Sequence, residues 1–508
     1  MAKRLSERSG ATVLLLEAGG TRHPWFIRMP SAFYIPMHKR QYNWGYKAQP
    51  EANLNYRSLD CPRGRGVGGS SAINGMVYVR GNPADFDRWA AAGAPGWSYQ
   101  DVLPYFKKAQ TFLSTPHDDT YQGNDGPLQV SNGPLKNPLY QAFLQASSQA
   151  GYPLQEDLNG AQQEGFGPLP MTVSQGQRAS VARCYLGTTP NNLNIVSDFQ
   201  AAKLILSQNR VSGVQGMVKD KPVTVHAEQE VIVCAGSIGS PQLLQLSGIG
   251  DPAHLASLDI ATHIALPGVG QNLMDHLEVY VQQACTQPVS LFKHLSLLGK
   301  ARIGAQWLTT HTGLGASNHF EAGGFVKSAA EQPYPDIQFH FLPAAMNYDG
   351  TSQAGTEGFQ AHVGPMLSPS RGHVLIRSAN PIHAPEIRFN YMSHDEDWRV
   401  FRQAIRTARE IFAQAAFAPY RGAELAPGKA ISSDAQLDEF VRANAESAYH
   451  PCGTCRMGQD NLAVVNETGL VHGMDNLRVV DASIFPHITN GNLNAPTVMV
   501  AEKIADAI

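Results

Sequence analysis

Val13-Leu14-Leu15-Leu16-Glu17-Ala18-Gly19-Gly20 is an apolar run that ends in a carboxylate and small residues. Such a run is typical of a buried strand in a parallel sheet. Residues 2–8, which precede it, are predicted to be the last part of a helix that stops at Ser9 and Gly10. In dinucleotide-binding folds, an acidic residue at the end of such a strand binds a ribose, about 20 residues after a Gly-rich turn. The stretch therefore predicts the second half of a βαβ unit whose Gly-rich turn would precede Met1.

A second Gly-rich string, Gly64-Arg65-Gly66-Val67-Gly68-Gly69, matches the spacing G-x-G-x-x-G. It follows Cys61-Pro62 and not an apolar strand, so its context argues against the dinucleotide fingerprint. Residues 65–74 are instead predicted to form a loop that approaches a ligand closely, because its glycines carry no side chain. An ordinary turn is the alternative.

Strand signals return in the middle and at the end of the chain. Val231-Ile232-Val233-Cys234 is a predicted strand, residues 235–240 form a turn, and Pro241 suits the first position of the following helix. Leu477-Arg478-Val479-Val480-Asp481 is another strand with a carboxylate at its end, and a helix is predicted over residues 497–508. These signals predict one nucleotide-binding domain assembled from discontinuous segments.

Between residues 280 and 440 the pattern changes. Ile337-Gln338-Phe339-His340-Phe341 and His373-Val374-Leu375-Ile376-Arg377 alternate with period two, which predicts an antiparallel sheet with one exposed face. Helices are predicted over residues 395–412 and 434–444. The fold class is therefore mixed α/β and α+β. We expect a Rossmann-like domain over residues 1–279, a substrate-binding domain over residues 280–445, and a return to the first domain over residues 446–508.

Composition limits the possible functions. The 508 residues carry a net charge of −3 and only 16% charged side chains, so the chain lacks the basic character typical of nucleic-acid binding. No apolar run approaches the roughly 18 residues of a membrane-spanning helix, and the N-terminus lacks the apolar core of a signal peptide. A cytoplasmic protein is expected. Six scattered cysteines indicate reduced thiols and not a disulfide framework.

The segment Tyr449-His450-Pro451-Cys452-Gly453-Thr454-Cys455 raises the alternative of a metal site. His450, Cys452 and Cys455 are potential zinc ligands, and P-C-x-x-C is half of a zinc-deaminase signature. The other half, H-x-E, occurs only far upstream, at residues 226–228 and 276–278. No second cysteine pair is available to close the site, so we predict no metal.

A serine hydrolase is a second alternative, because Ala235-Gly236-Ser237-Ile238-Gly239 lies between a predicted strand and a predicted helix. That context is typical of a nucleophile elbow, but Ala235 replaces the first glycine of G-x-S-x-G. A turn of small residues that contacts a nucleotide explains the string better.

His450 is also a candidate general base. A neutral imidazole accepts a hydroxyl proton at neutral pH, and an asparagine such as Asn492 can hold the resulting alkoxide oxygen without adding charge. A flavin beside them would take the hydride, since the cofactor carries the redox step. The chain has 18 histidines, and a packing role is the alternative for any one of them.

Four motifs, at residues 14–20, 65–76, 450–457 and 479–501, occur in an order that resembles the glucose-methanol-choline (GMC) oxidoreductases. The resemblance covers essentially the whole chain. Residues 315–325, 389–394 and 491–497 are similar to the choline-oxidising members of the family. The resemblance implies FAD-dependent oxidation of choline, or of a similar small alcohol, to betaine aldehyde in glycine betaine biosynthesis. It also implies that electrons pass to a membrane-linked acceptor such as a quinone.

The resemblance assigns roles to individual residues. His450 would remove the hydroxyl proton before hydride transfer to flavin N5, and Asn492 would hold the substrate oxygen. Glu17 would bind the adenosine ribose. The other cofactor-binding positions are Gly68, Gly69, Ser70 and Asn74 at the flavin and pyrophosphate, Ala235 and Gly236 at the adenine, and Asp481 and Ala482 at the ribityl phosphate.

Glu321 matches the position that faces the trimethylammonium group in choline-oxidising relatives, and His340 is a second candidate for the substrate site. A quaternary ammonium cannot donate a hydrogen bond, so aromatic faces and a carboxylate recognise it. A surface carboxylate is the alternative for Glu321.

Two departures from the family pattern change the expectations. The Gly-rich turn that seats the pyrophosphate would precede Met1, so an inactive truncated protein is the alternative to an enzyme. Ile73 stands where choline oxidases carry a histidine joined to the flavin, so we expect FAD to bind non-covalently and the protein to behave as a dehydrogenase. The family also suggests peripheral association with the inner face of the cell membrane.

Overall fold

The computed structural model describes residues 1–8, 11–188, 190–219, 221–347 and 355–508. The longer helices are α1 (Ala2–Arg8), α2 (Pro83–Ala91), α3 (Tyr99–Ala109), α4 (Pro138–Gln149), α5 (Gly236–Leu246), α6 (Leu297–Thr310), α7 (Asp395–Ala413), α8 (Asp434–Asn444) and α9 (Asn494–Ala507). Helix α8 begins at a capping box between Ser433 and Gln436. The helices predicted at residues 395–412 and 434–444 are confirmed. None of the helices in the described ranges is both long enough and apolar enough to cross a membrane.

Parallel strands join distant segments of the chain. The strands that position the site are β1 (Val13–Leu16), β2 (Gly165–Pro168), β3 (Leu193–Val196), β4 (Val231–Val233), β5 (Leu277–Cys285), β6 (Ala322–Val326), β7 (Ile337–Leu342), β8 (Gly358–Pro365), β9 (Arg421–Ala426) and β10 (Leu477–Val479). Strand β1 pairs in parallel with β3, and β4 pairs in parallel with β10. The predicted assembly of the parallel region from discontinuous segments is confirmed. The chain between β3 and β4 forms a separate antiparallel sheet, with the strands Phe199–Ser207, Arg210–Val218 and Lys221–His226.

An antiparallel sheet runs in the order β9-β5-β8-β7-β6-β2. One face, with Val279, Phe339 and Val363, belongs to an apolar core shared with α4 and α7. For residues 337–341 the expectation of an exposed second face is wrong, because β8 is buried along its whole length and β7 along nearly all of it. The second face is polar and forms one wall of a cavity. Residues 373–375 instead form a separate two-stranded antiparallel sheet with residues 386–388, and burial alternates along them. Strand β5 also crosses the expected domain boundary at residue 279.

Two local predictions differ from the structure. Helix α5 begins at Gly236, well before Pro241. The reason is that Asp481 Oδ2 accepts hydrogen bonds from the Gly236 backbone nitrogen at 2.8 Å and the Ser240 hydroxyl at 2.6 Å, which stabilises an earlier start. Strand β1 is not continuously buried, since Leu14 is 42% exposed and β1 lines the cavity.

Candidate active site

A cavity of about 1840 Å³ extends from the parallel strands to the antiparallel sheet. It exceeds the roughly 300–1,000 Å³ of most small-molecule sites, so it has room for a large cofactor together with a substrate. The predicted site residues that line it are Glu17, Gly68, Gly69, Ser70, Asn74, Ala235, Gly236, His340, His450, Asp481, Ala482 and Asn492. The fold thus brings predicted site residues from widely separated parts of the sequence to one place, with Glu321 as the exception.

His450 and Asn492 form a hydrogen-bonded pair at the cavity wall. Asn492 Nδ2 lies 3.1 Å from His450 Nε2. Asn492 Oδ1 accepts a hydrogen bond from Gln338 Nε2 at 3.1 Å and lies 3.4 Å from His340 Nε2. Because an amide nitrogen only donates, His450 Nε2 is an unprotonated acceptor. The pair therefore presents a basic nitrogen beside an amide donor.

His276, behind His450, fixes which nitrogen of His450 carries the proton. His276 Nε2 lies 3.0 Å from the Met366 carbonyl oxygen, which can only accept, so this nitrogen is protonated. His276 Nδ1 then accepts a hydrogen bond from His450 Nδ1 at 3.0 Å, which leaves His450 Nε2 without a proton. Burial lowers the pKa of His276 to about 4, so this ring is neutral at pH 7. We call the hydrogen-bonded chain from the Met366 carbonyl through His276 to His450 the relay.

Asp275 holds the backbone of His450 in place. Its Oδ1 accepts a hydrogen bond from the His450 backbone nitrogen at 2.6 Å. Its Oδ2 accepts hydrogen bonds from Ser447 Oγ at 2.5 Å and Tyr391 Oη at 2.6 Å. Burial lowers the pKa of His450 well below 6.5, and the nearby His276, His340 and Arg63 act in the same direction. His450 is thus both oriented and neutral at physiological pH.

A row of aromatic rings also lines the cavity and begins beside Asn492, because His340 Nε2 lies 3.4 Å from Asn492 Oδ1. Tyr280 on β5 stands directly across from His362 on β8, which stands across from His340 on β7. Cross-strand neighbours of this kind project on the same face of a sheet. The ring centroids of Tyr280 and His362 are 4.0 Å apart, and Phe320 lies 5.2 Å from His362. These four rings all border the cavity.

Glu278 brings a carboxylate to this aromatic row. It lies two residues before Tyr280 on β5, so it projects on the same face. Its Oε1 accepts a hydrogen bond from His362 Nδ1 at 2.9 Å, and its side chain is 14% exposed. Burial raises the pKa of Glu278, but the charge and hydrogen bond of His362 outweigh that effect and lower it overall. The result is a half-buried, ionised carboxylate among aromatic rings.

Sequence reasoning missed Glu278 and His276 as functional residues. Both belong to Asp275-His276-Leu277-Glu278, which the sequence analysis considered only as half of a zinc signature. A stretch with three ionisable residues at the start of a β-strand was the available signal.

Glu321 lies outside the cavity. Its Oε1 accepts a hydrogen bond from Ser317 Oγ at 2.6 Å, and its Oε2 accepts one from the Leu135 backbone nitrogen at 2.6 Å. A Cβ added at Gly133 would come within 2.4 Å of Glu321 Cγ, so the side chain is tightly packed there. Adjacent side chains of extended chain point to opposite sides; Phe320 lines the cavity and Glu321 points away. The structure therefore does not bring Glu321 to the substrate site expected for it.

Glu17 joins β1 to the Gly-rich loop at the other end of the cavity. Its Oε1 accepts hydrogen bonds from the backbone nitrogens of Gly19 at 2.7 Å and Gly66 at 2.9 Å. Burial raises the pKa of Glu17, and these amides offset part of that effect. A Cβ at Gly19 would lie 2.5 Å from the Gly66 nitrogen, so only glycine permits this close approach.

The loop after Gly64 keeps one cavity wall free of side chains. Gly68 and Gly69 have φ angles of 95° and 52°, and the loop continues as a 3₁₀ turn, Gly69–Ala72. Ser70 Oγ accepts a hydrogen bond from the Gly64 nitrogen at 3.1 Å. Asn74 Oδ1 accepts one from Arg178 Nη1 at 2.7 Å. As predicted, this segment is a glycine loop and not a strand-turn-helix fingerprint.

Asp481 joins the start of α5 to the C-terminal segment. Besides its contacts with Gly236 and Ser240, its Oδ1 accepts a hydrogen bond from the Ser483 nitrogen at 2.8 Å. The bare glycine loop, the carboxylates of Glu17 and Asp481 and the cavity volume together fit a dinucleotide such as FAD.

The two alternative chemistries find no support in this geometry. Ser237 Oγ donates a hydrogen bond to the Pro451 carbonyl at 2.5 Å and has no recorded histidine partner. Cys452 and Cys455 are buried in an apolar core. Across the described ranges, no three His, Cys, Asp or Glu residues are grouped so that they could hold a metal ion.

Two family models of the GMC oxidoreductases match residues 3–278 and 368–501 of the sequence. This chain belongs to the GMC oxidoreductase family. The family resemblance of the four motifs is thereby confirmed.

Relatives of this GMC oxidoreductase include a Burkholderia multivorans protein named oxygen-dependent choline dehydrogenase. The two are 53% identical over 515 aligned positions, which cover all of this chain and 91% of the relative. Among solved structures, pyridoxine 4-oxidase from Mesorbium loti has a TM-score of 0.90 at 29% identity, over 100% of this chain and 96% of the other. An FAD-dependent oxidoreductase from Chaetomium thermophilum has a TM-score of 0.90 at 27% identity, over 99% and 96% of the two chains.

Proposed function

We propose that this GMC oxidoreductase oxidises choline to betaine aldehyde with FAD as its cofactor. The observation that carries the proposal is a cavity with a proton acceptor at one end and a carboxylate among aromatic rings at the other. His340 connects the two ends, because it lies 3.4 Å from Asn492 and its ring centroid is 6.0 Å from that of Phe320. Choline has a hydroxyl and a trimethylammonium group at its two ends. The name of the Burkholderia relative supports the same substrate.

At the alcohol end, His450 Nε2 accepts the hydroxyl proton. When the alcohol binds, its hydroxyl takes the place of Asn492 Nδ2 as the hydrogen-bond donor to His450 Nε2. The amide hydrogen released in this way lets Asn492 donate to the substrate oxygen, whose developing charge it stabilises. The relay through His276 keeps Nε2 unprotonated before each turnover. FAD, when bound, supplies the hydride acceptor. The aldehyde forms when the alcohol oxygen has lost its proton and the alcohol carbon has lost a hydride.

At the other end, Glu278 provides the charge that the trimethylammonium group needs. Phe320 and Tyr280 offer ring faces, each of which contributes about 0.5–2 kcal/mol to binding of such a cation. A carboxylate suits this ligand because the interaction requires no hydrogen bond. His362 keeps Glu278 ionised and oriented toward the cavity.

Residues 1–279 and 446–508 would hold most of the FAD, and residues 280–445 would form most of the substrate site. Glu278, His450 and Asn492 are the exceptions, because they reach the substrate from the cofactor-binding segments. Glu17 would bind the adenosine ribose. The remaining contacts would come from Gly68, Gly69, Ser70 and Asn74 in the loop, Ala235 and Gly236 at the start of α5, and Asp481 and Ala482 near the C-terminus.

A comparison of choline with 3,3-dimethylbutan-1-ol tests the proposed substrate. The two alcohols have the same shape, but only choline carries a positive charge. We expect kcat/KM to favour choline by about 100-fold, since that corresponds to about 2.7 kcal/mol of charge recognition. The initial rates are measured with a soluble artificial electron acceptor. Equal kcat/KM values would contradict a choline site.

FAD is proposed to bind non-covalently. The loop that lines the cavity, residues 64–76, contains no histidine, cysteine or tyrosine that could attach to a flavin, and Ile73 is 3% exposed against the cavity. Acid precipitation of the flavin-loaded protein should therefore release all of the flavin into the supernatant. Yellow colour that stays in the pellet would show a covalent bond.

The electron acceptor is proposed to be a membrane-linked quinone, with the protein held at the inner face of the membrane. The name of the Burkholderia relative favours oxygen as a second candidate. Oxygen uptake and reduction of a short-chain ubiquinone, measured with the same choline-reduced enzyme, separate the two.

A further inference from the structure

Two segments of this acidic chain contain no acidic residue. Residues 18–50 carry Arg22, Arg28, Lys39, Arg40 and Lys47, and residues 279–320 carry Lys293, Lys300 and Arg302. Neither segment includes an Asp or Glu, although the whole chain has 42 of them and a net charge of −3. Lys47 lies 3.3 Å from Asp60; within the described ranges no ion pair is recorded for the other seven cations. The two segments therefore carry a net positive charge.

The two segments pack together at one end of the cavity. Trp307 and Ile303 of α6 form an apolar cluster with Met29 and Ile35. Trp25 and Tyr34 from the first segment and His294 and Lys300 from the second border the same cavity. We call the outward side of these two segments the mouth surface.

Large apolar side chains project from the mouth surface. Leu297 and Leu298, at the start of α6, are 88% and 85% exposed. Leu308 is 55% exposed, Trp25 is 43% exposed and Tyr34 is 40% exposed. Among the exposed large apolar residues of the described chain, the two leucines are the most accessible. Side chains this accessible gain little from burial within the protein itself, so their apolar character points to a partner.

We propose that the mouth surface docks on a bilayer that contains anionic phospholipid. Exposed leucines and tryptophan would enter the acyl boundary while Lys and Arg side chains contact the headgroups, which is how interfacial helices bind membranes. A second copy of the chain suits the surface less well, because a symmetric dimer would bring the same positive charges face to face. The inference names the site of contact with the membrane-linked acceptor, and to that extent it rests on the proposed function.

Vesicle co-sedimentation of the flavin-loaded protein tests the docking. We expect binding to vesicles of phosphatidylcholine and phosphatidylglycerol, and much weaker binding to pure phosphatidylcholine. The double variants Leu297→Ser with Leu298→Ser, and Lys293→Glu with Arg302→Glu, should each lower the bound fraction at least about fivefold. Matched controls are Leu154→Ser with Leu462→Ser, and Arg210→Glu with Lys221→Glu, which alter exposed residues elsewhere and should bind like the wild type.

Absence of wild-type binding, or equal binding by the mouth-surface variants and the controls, would overturn the proposal. Size-exclusion chromatography tests whether a second copy of the chain binds the mouth surface instead. A wild-type dimer that becomes a monomer in the leucine variant would show that it does. Choline turnover with a soluble acceptor is measured on the same proteins and should be unchanged in every variant. A wild-type protein that oxidises choline but does not bind the vesicles would overturn the docking alone. A protein that binds the vesicles but does not oxidise choline would overturn the proposed function alone.

Discussion

His450→Ala is expected to lower kcat for choline about 1,000-fold, within the range typical of removing a general base. The reason is that His450 Nε2 is the unprotonated nitrogen that Asn492 holds toward the cavity. The FAD content should stay at the wild-type level, since the His450 side chain contributes no predicted cofactor contact. Steady-state kinetics with a soluble acceptor and the flavin absorption of the same sample give both quantities.

His472→Ala is the matched control. His472 Nε2 lies 3.0 Å from the Gly458 carbonyl oxygen, away from the cavity, so its loss should leave kcat near the wild-type value. The pH profile adds a second check on the base. Because burial lowers the pKa of His450, the base is neutral above that pKa and is lost only as the pH falls through it, so the acid limb of kcat/KM should lie below pH 6.5. A His450→Ala protein that binds FAD and retains most of its kcat would remove His450 from the mechanism.

Glu278→Gln is expected to lower kcat/KM for choline about 100-fold, mainly through KM. That loss corresponds to about 2.7 kcal/mol, the scale of losing one partner of a buried charge pair. For 3,3-dimethylbutan-1-ol the value should change little, because this alcohol carries no charge for Glu278 to recognise. The ratio of the two kcat/KM values is therefore expected to fall sharply, to the smaller preference for the cation that the ring faces of Phe320 and Tyr280 provide.

Glu321→Gln decides between the two carboxylates. The substitution keeps the length of the side chain. Ser317 Oγ and the Leu135 backbone nitrogen hold this side chain away from the cavity. The preference for choline should therefore survive this change, even if the protein becomes less stable. A preference that disappears in Glu321→Gln and persists in Glu278→Gln would restore the assignment made from sequence and refute the one made from the structure.

The sequence predicted the alcohol end of the site better than the cation end. His450 and Asn492 lie in the motifs that carry the family resemblance, so they could be named without knowledge of strand register, although only the fold brings them within 3.1 Å of each other. The aromatic row depends on the pairing of Tyr280 with His362 and of His362 with His340. A shift of one residue in either register would turn those side chains to the opposite face, and a single sequence does not specify strand register.

The same limit explains the two carboxylates. Glu321 and Phe320 are neighbours in sequence, and only the packing of Glu321 against Gly133 shows which of them points into the cavity. Glu278 lies in residues 276–278, whose H-x-E pattern indicates half of a zinc-deaminase signature and not a cation site. The period of two predicts the sheet, but a sequence does not distinguish a polar face toward solvent from a polar face toward a cavity.

The central claim is that bound flavin takes electrons from choline in this cavity. Anaerobic addition of choline to the flavin-loaded protein tests it without any external acceptor. We predict that the visible flavin band bleaches, with one choline consumed per flavin and betaine aldehyde as the product. Bound flavin that stays oxidised in excess choline, in a protein that another primary alcohol does reduce, would contradict the account.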